Sequence, residues 1–433
     1  LSIKNDNLPA EVKTIFKIFA QNTKQDKDSI RLVGGCVRDL LLEKTVNDFD
    51  FATKLQPQEI IAILEKNQIK AIPTGIEFGT ITAVVNHKNF EITTLRKDNE
   101  PDGRHLKAEF VNDYHLDAAR RDFTINALYL DDQGEIYDYF NGLEDLENKK
   151  VRFIGDAKER ITEDYLRILR FFRFSCFYSA EFDQEGLNAC FQLKSNLQKL
   201  SSERVRAEIF KIFSCLNRNS LIKTLRTLND SRITEEIIGN INEFNLHKLN
   251  HLFLLEEEIQ DQKLYHQIRS HNSKGFKNNY LLPFFASSFS DNDNFEKILE
   301  SISTRLSLTN KEKNYCRFLN QYITKYHRLD IDEQLKRLLI EHDKELVIDF
   351  YLLTLINNSS SKELQNITKI KQNLDLIANF IKPNFPINGN DLTKLGYKGR
   401  KIGQMLDRAK ELWIESNFKA DKKIILKFLE TLN

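Results

Sequence analysis

The chain has 433 residues, which at roughly 150 residues per domain suggests about three domains. Its 15 Gly and 7 Pro fall well below the usual combined share of about 12%, which excludes collagen-like and disordered classes and favours long helices. With 64 basic residues against 63 acidic, the net charge is +1. No global field marks a polyanion binder, so a nucleic-acid partner would have to meet a local basic face.

From residue 8 to 150 short β-rich runs alternate with helices. Helical periodicity over 9–21 leads into Ile30-Arg31-Leu32-Val33, a strand that ends at Gly34-Gly35. A helix is expected over 36–42, a strand over 47–51, and a helix with Pro57 in its first turn over 57–66. Strand patterns recur at 69–72, 80–86 and 90–95, with Asn86-His87-Lys88 as a hairpin connection. These define a small α+β domain on a mostly antiparallel sheet. After about residue 155 the strand signal disappears, and helical periods run through 163–178, 187–200, 203–215 and 222–229. More helices follow to about 380, without a strict repeat. The helices break at Lys382-Pro383-Asn384-Phe385-Pro386, and residues 390–433 carry 10 Lys/Arg against 6 Asp/Glu. The expected architecture is an α+β head followed by an all-helical remainder, divided as head 1–150, neck 151–215, body 216–380 and basic tail 381–433.

The five cysteines, Cys36, Cys176, Cys190, Cys215 and Cys316, are odd in number and contain no C-x-x-C pair. That argues against a disulfide framework or a thiolate zinc site and fits a reducing compartment. Residues 1–10 lack the apolar core of a signal peptide, and no stretch reaches the ~18 apolar residues of a membrane span. A cytoplasmic protein with no membrane association is expected.

The sharpest chemical feature is Asp48-Phe49-Asp50. On a strand, residues i and i+2 share a face, so both carboxylates point one way, a hard oxygen pair suited to Mg²⁺. A D-x-D alone is commonly a solvated strand end. Here it follows Gly34-Gly35-Cys36-Val37-Arg38-Asp39, where glycines between a strand and a helix N-terminus leave backbone N–H groups open to phosphate. Together they read as a nucleotidyl-transfer site. Next, Arg120-Arg121-Asp122-Phe123-Thr124-Ile125-Asn126 places Asp122 and Asn126 at i, i+4 if helical. It is either a self-capping helix start or a clamp for triphosphate and ribose. In Glu163-Asp164-Tyr165-Leu166-Arg167, helical spacing brings Glu163 and Asp164 within reach of Arg167, as a surface ion pair or as part of a ligand site. The stretch 149–173 has 8 basic and 4 acidic residues, which suits a polyanion.

These motifs, in this order over residues 30 to 212, resemble the class II tRNA nucleotidyltransferases of the polymerase-β superfamily, which include the CCA-adding enzymes and bacterial poly(A) polymerases. Residues 34–50 resemble the family's catalytic motif A, residues 120–126 its ribose-recognising motif B, and residues 138–160 the motif C that joins head to neck. Glu163-Asp164-Tyr165-Leu166-Arg167 matches the E-D-x-x-R of motif D, the amino-acid template for the incoming base. Residues 202–208 resemble motif E, which braces the neck, and residues 385–403 resemble the family's tail. The resemblance implies metal held by Asp48 and Asp50, with Glu91 as a third carboxylate. It also implies nucleotide contacts from Gly34, Gly35, Arg38, Arg121, Asp122 and Asn126, and base selection by Glu163, Asp164, Arg167 and Arg170. Mg²⁺ is then the cofactor and tRNA, CTP and ATP the partners; no obligate protein partner is expected.

Within the family, full CCA addition competes with poly(A) synthesis and with CC-only or A-only addition. Thr74-Gly75-Ile76-Glu77-Phe78-Gly79-Thr80 resembles the CCA-adding type, although Phe78 stands where many relatives carry His. The polar stretch 96–115 resembles the flexible loop needed for A addition. Both favour full CCA addition. A catalytically silent RNA-binding protein is the contrasting class, against which the intact Asp48 and Asp50 speak. His342-Asp343, with His327, raises a phosphohydrolase metal site, but a surface pair on a helix-rich body is the simpler reading.

Overall fold

The computed structural model describes residues 3, 8–23, 28–98, 108–238, 246–259, 295–326, 331–357 and 367–432. Its contacts divide the chain into two units, Leu1–Glu243 and Phe244–Asn433. The expected boundaries at 150, 215 and 380 fall inside these units.

The first unit is built on a seven-stranded sheet. Its strands are β1 (Ile30–Val33), β2 (Asp50–Thr53), β3 (Lys70–Gly75), β4 (Thr80–Val85), β5 (Lys88–Thr94), β8 (Leu128–Leu130) and β9 (Ile136–Asp138). The order is β3-β4-β5-β2-β1-β8-β9. All neighbours are antiparallel except β2 and β5, which run parallel. The sheet is therefore mixed by one pair, and that pair joins Asp50 to Glu91 in register. Two short strands, β6 (Arg96–Asp98) and β7 (Ala108–Phe110), form a separate hairpin arm; residues 99–107 between them lie outside the described residues.

Packing on the sheet explains the local sequence. β1 is buried along its whole length, as a strand covered on both faces must be. Helix α1 (Ala10–Asn22) lays Val12, Ile15, Phe16 and Phe19 against the core, with Phe16 edge-on to Phe51. Helix α2 (Gly35–Leu41) follows β1 directly. Helix α3 (Pro57–Lys66) begins with a capping box between Gln56 and Glu59 and has Pro57 in its first turn. Helix α4 (Tyr114–Ala119) is capped by Asp113, and α5 (Gly142–Glu147) follows β9.

The rest of this unit is helical: α6 (Ala157–Glu163), α7 (Leu166–Tyr178), α8 (Gln184–Leu193), α9 (Ser202–Phe213), α10 (Arg218–Asp230) and α11 (Ile233–Ile238). Asp156, Asp183 and Asn217 accept backbone N–H groups at the starts of α6, α8 and α10, the expected chemistry of short polar caps. Phe123, Phe153, Phe171 and Phe174 form an aromatic cluster, Phe153 stacked on Phe171 and the Phe123 ring tilted against Phe153 and Phe174, at α7. A buried ion pair, Arg173 to Glu208 at 2.6 Å, joins α7 to α9.

The second unit is all helical among its described residues: α12 (Leu246–Ile259), α13 (Phe295–Arg305), α14 (Asn310–Tyr326), α15 (Ile331–Glu341), α16 (Lys344–Asn357), α17 (Ile367–Asn379), α18 (Gly389–Lys394), α19 (Arg400–Glu415) and α20 (Lys422–Glu430). Trp413, Met405, Leu392 and Leu429 form one core with Ile340, so the basic C-terminal segment packs onto α15. No helix among the described residues is long and apolar enough to cross a membrane. His342 packs edge-on to Phe318 and Tyr322, and burial there pushes its pKa down. His327 lies outside the described residues.

Candidate active site

The acidic end of the parallel pair is where the candidate chemistry gathers. The strand expected over 47–51 begins only at Asp50, so Asp48 stands in the preceding segment. The alternation nonetheless holds: Asp48 and Asp50 are exposed and Phe49 between them is buried. Asp50 is the register partner of Glu91, which brings a further carboxylate beside Asp50. The Asp50 side chain opens on solvent, yet protein crowds its carboxyl closely enough to displace water. This desolvation, together with the charges of Glu91 and Asp48 and against that of Arg121, pushes its pKa up to about 6.

Crowded like charges are the arrangement a divalent cation relieves, and carboxylate oxygens are the donors Mg²⁺ prefers. Among the described residues no group of three or more His, Cys, Asp or Glu side chains is gathered tightly enough to hold a metal alone. Substrate phosphate and water would have to complete the shell.

Gly34, between β1 and α2, has φ +78° and ψ −126°, a conformation an L-residue rarely adopts. Its N–H donates to Leu128 O at 3.0 Å, tying the turn to β8. A Cβ built on it would stand 3.3 Å from Arg121 Nη1, so Arg121 lies directly over the turn. Gly35 starts α2, where backbone N–H groups have no partner within the helix. Cys36 reaches Asp50 O at 3.7 Å, joining the turn to the acidic strand. Burial and the Asp50 charge push this thiol up to about 12, so it is no nucleophile.

The Arg120–Asn126 segment is not the helix its spacing suggested. Helix α4 stops at Ala119, a 3-10 turn occupies Thr124–Asn126, and β8 begins at Leu128. Asp122 binds the next residue's own N–H at 2.9 Å, the local competition that ends helices at Asp. Asn126 still donates to Asp122, at 3.1 Å. The other Asp122 oxygen accepts Arg170 Nε at 2.7 Å, so both oxygens are engaged within the protein and Arg170 ties α7 to this turn. Arg38 is likewise buried: it donates to Asn126 and Asp39 and lies 4.1 Å from the centre of the Tyr178 ring. In this structure Arg38, Asp122, Asn126 and Arg170 form a brace between the sheet and α7, while Arg121 faces the glycine turn.

Glu163, Asp164 and Arg167 do not share one helix either. Helix α6 ends at Glu163, Asp164 is extended (φ −152°, ψ 105°), and α7 begins at Leu166. Asp164 Oδ1 accepts the Leu166 N–H at 3.1 Å, which starts α7, and its Oδ2 accepts Arg204 Nη2 at 2.7 Å. Arg167 donates to Glu163, to Arg160 O at 2.8 Å and to Arg120 O at 3.0 Å. The break replaces a shared helix face by two side chains with different partners, linked through the backbone where the Arg167 N–H donates to Asp164 O at 2.9 Å. Two functional candidates escaped the sequence reading. One is Arg204. The other is Asp117, a buried carboxylate between Arg120 and Arg121; its i, i+3 and i, i+4 spacing to the two arginines was the available signal.

A mixed sheet carrying paired acidic residues after a glycine turn, followed by a helical extension, is the architecture of a nucleotidyltransferase head and its appendages. Residues 30–152 match the family model described as the poly A polymerase head domain. The chain is 34% identical to the mitochondrial CCA tRNA nucleotidyltransferase 1 of Danio rerio, over 95% of this chain and 89% of that protein. It is 40% identical to the CCA-adding enzyme of Oceanobacillus iheyensis over 47% of this chain and 50% of that one. Its fold superimposes on the Bacillus stearothermophilus CCA-adding enzyme solved with CTP, with a TM-score of 0.71, 21% identity and 98% of both chains covered. The chain belongs to the CCA-adding tRNA nucleotidyltransferase family.

Proposed function

We propose that this protein adds C, C and A to the 3′ end of tRNA, using CTP and ATP without a nucleic-acid template. The observation that carries this reading is the convergence of Asp48, Asp50 and Glu91 next to the Gly34 turn and Arg121. Asp48 and Asp50 would hold Mg²⁺, with Glu91 beside Asp50; the ion, when bound, would supply charge neutralisation at the α-phosphate and activation of the attacking hydroxyl. The tRNA 3′-hydroxyl loses its proton to water as its oxygen bonds to the α-phosphorus, the bond from that phosphorus to the bridging oxygen breaks, and pyrophosphate leaves. Arg121 neutralises the triphosphate above the glycine turn. Arg38, Asp122, Asn126 and Arg170 act from the brace behind it.

Base choice falls to Asp164 and Arg167, with Glu163 orienting the arginine. Cytosine and adenine both present an amine donor beside a ring-nitrogen acceptor, whereas uracil and guanine present a carbonyl beside a ring N–H. An ionised Asp only accepts and Arg only donates, so the pair suits C and A and opposes U and G. The β6–β7 arm supports full CCA addition over a CC-only activity. Five free, buried cysteines support a reducing compartment such as the cytoplasm. The deciding experiment incubates the protein with tRNA lacking its 3′ end and labelled CTP and ATP, and resolves product lengths. Three added residues in the order CCA are expected. Products ending at CC, an A-only product, a poly(A) ladder, or no extension would each overturn this reading.

A further inference from the structure

Asp117 is almost completely buried, yet it is surrounded by donors. Its Oδ1 accepts Arg120 Nε at 2.9 Å and Nη2 at 2.7 Å, with the Arg96 N–H at 3.4 Å. Its Oδ2 accepts Arg121 Nη2 at 3.0 Å, Arg121 Nε at 3.3 Å and the Tyr129 hydroxyl at 2.8 Å. Burial alone would raise its pKa, but the charges of Arg121 and Arg120 outweigh that and hold it at about 2.

Each arginine leads somewhere different. Arg121 carries its Nη1 to the Gly34 turn, and its charge is felt by Asp50. Arg120 Nε also donates to Arg96 O at 3.0 Å, at the root of the β6–β7 arm, and Arg120 O accepts Arg167 Nη2 at 3.0 Å. One residue back, Ala119 O accepts Arg160 Nη1 at 3.1 Å. The C-terminal end of α4 is thus the point to which the phosphate-facing arginine, the arm and the base-selecting arginine are all fastened. Cations at a helix C-terminus are favourable in themselves; Asp117 adds the fixed charge that sets their geometry.

We propose that Asp117 is a positioning residue that sets Arg121 for the triphosphate and, through Arg120, keeps the base-selecting Arg167 in register with the β6–β7 arm. The proposal rests on the nucleotidyltransferase reading above. A flexible guanidinium that is left unanchored loses the preorganisation on which both binding and discrimination depend.

The test compares Asp117→Asn with Leu64→Ala, a core change in α3 that destabilises the same unit away from these groups. Equilibrium binding of CTP is measured first, since it requires no tRNA. Asp117→Asn is expected to weaken CTP binding about tenfold or more, the scale of hydrogen bonds to charged groups. It should also lower the preference for CTP over UTP in extension assays. Leu64→Ala should lower the melting temperature with affinity and preference retained. In an Arg121→Gln background the effect of Asp117→Asn on CTP affinity should largely disappear, because the two act as one unit. Wild-type CTP affinity and base preference in a folded Asp117→Asn protein would overturn the proposal. So would full additivity with Arg121→Gln. Should Asp117→Asn unfold, Asp117→Glu, which keeps the charge and moves it by one methylene, serves the same comparison. A wild-type protein that binds CTP but extends no tRNA would instead sink the functional reading and leave the Asp117 result standing.

Discussion

Gly34 and Gly35 are adjacent, but the structure gives them opposite sensitivities to alanine. At Gly34 the backbone is at φ +78° and ψ −126°, and forcing an L-residue into such a region costs about 1–3 kcal/mol. The lower unfolded-state entropy of alanine offsets about 0.4–1 kcal/mol of that. The added Cβ would also meet Arg121 Nη1 at 3.3 Å and Asn126 O at 3.5 Å, so the guanidinium has to give way. At Gly35, φ is ordinary and the nearest atom is Arg38 Nη2 at 3.6 Å, a normal contact; alanine in a helix is favoured over glycine by roughly 0.5–1 kcal/mol. For a unit of about 240 residues each kcal/mol moves the melting temperature by roughly 2–4 °C. Gly34→Ala should therefore fall by up to roughly 10 °C and Gly35→Ala should hold or rise. Differential scanning calorimetry reads the first difference and CTP titration the second. Gly34→Ala should weaken CTP binding by moving Arg121, and Gly35→Ala only by blocking approach of phosphate to the helix start. Unchanged melting and CTP affinity in Gly34→Ala, or a greater loss of stability in Gly35→Ala, would refute the argument.

Asp48→Ala and Asp50→Ala should each abolish nucleotide transfer while leaving the melting curve nearly unchanged, since both side chains are exposed; single-turnover extension in Mg²⁺ checks this. Arg167→Ala should lose both rate and selectivity against UTP and GTP, with Glu163→Gln milder, as read from kcat/KM for each nucleotide. Deleting residues 97–104 should leave tRNA products ending at CC on a sequencing gel. Asp117, depressed from 3.8 to about 2 in the folded state, contributes stability above the unfolded-state pKa, on the order of 2 kcal/mol. That contribution is lost as pH falls from about 4 towards 2, so Asp117→Asn should flatten the acid limb of the stability curve there.

The fold class and the acidic pair were legible because each rests on short-range pattern: apolar runs bounded by glycine, and a D-x-D whose alternation survives even though the strand starts three residues late. Glu91 was legible only by resemblance, since its nearness to Asp50 depends on the parallel pairing of β2 with β5, a non-local contact. The Arg120–Asn126 segment, whose spacing was read as i, i+4 only if helical, is a turn for a local reason. Side-chain bonds from Asp122 to its own neighbour, with Thr124 and Ile125 following, compete with helical hydrogen bonds. Arg38 and Asp122 carry the residue types of a triphosphate and ribose clamp and Arg170 that of a base-selecting group, and only the tertiary structure shows their bonds turned inward.

The break at Asp164 carries the most weight for function. On one continuous helix, Asp164 and Arg167 would be locked at a fixed separation, and any neighbouring substitution would leave that separation intact. Here Asp164 is extended and its carboxylate is held by the start of α7 and by Arg204, whereas Arg167 is held by Glu163 and by the carbonyls of Arg160 and Arg120. The two side chains have different partners, one leading to α9 and the other to the end of α4, while the Arg167 N–H, donating to Asp164 O at 2.9 Å, links them through the backbone. Under the proposed base-selecting role, reading cytosine twice and adenine once, bases of different size with the same edge pattern, would gain from a spacing that neighbouring elements can adjust. A single helix face offers no such adjustment.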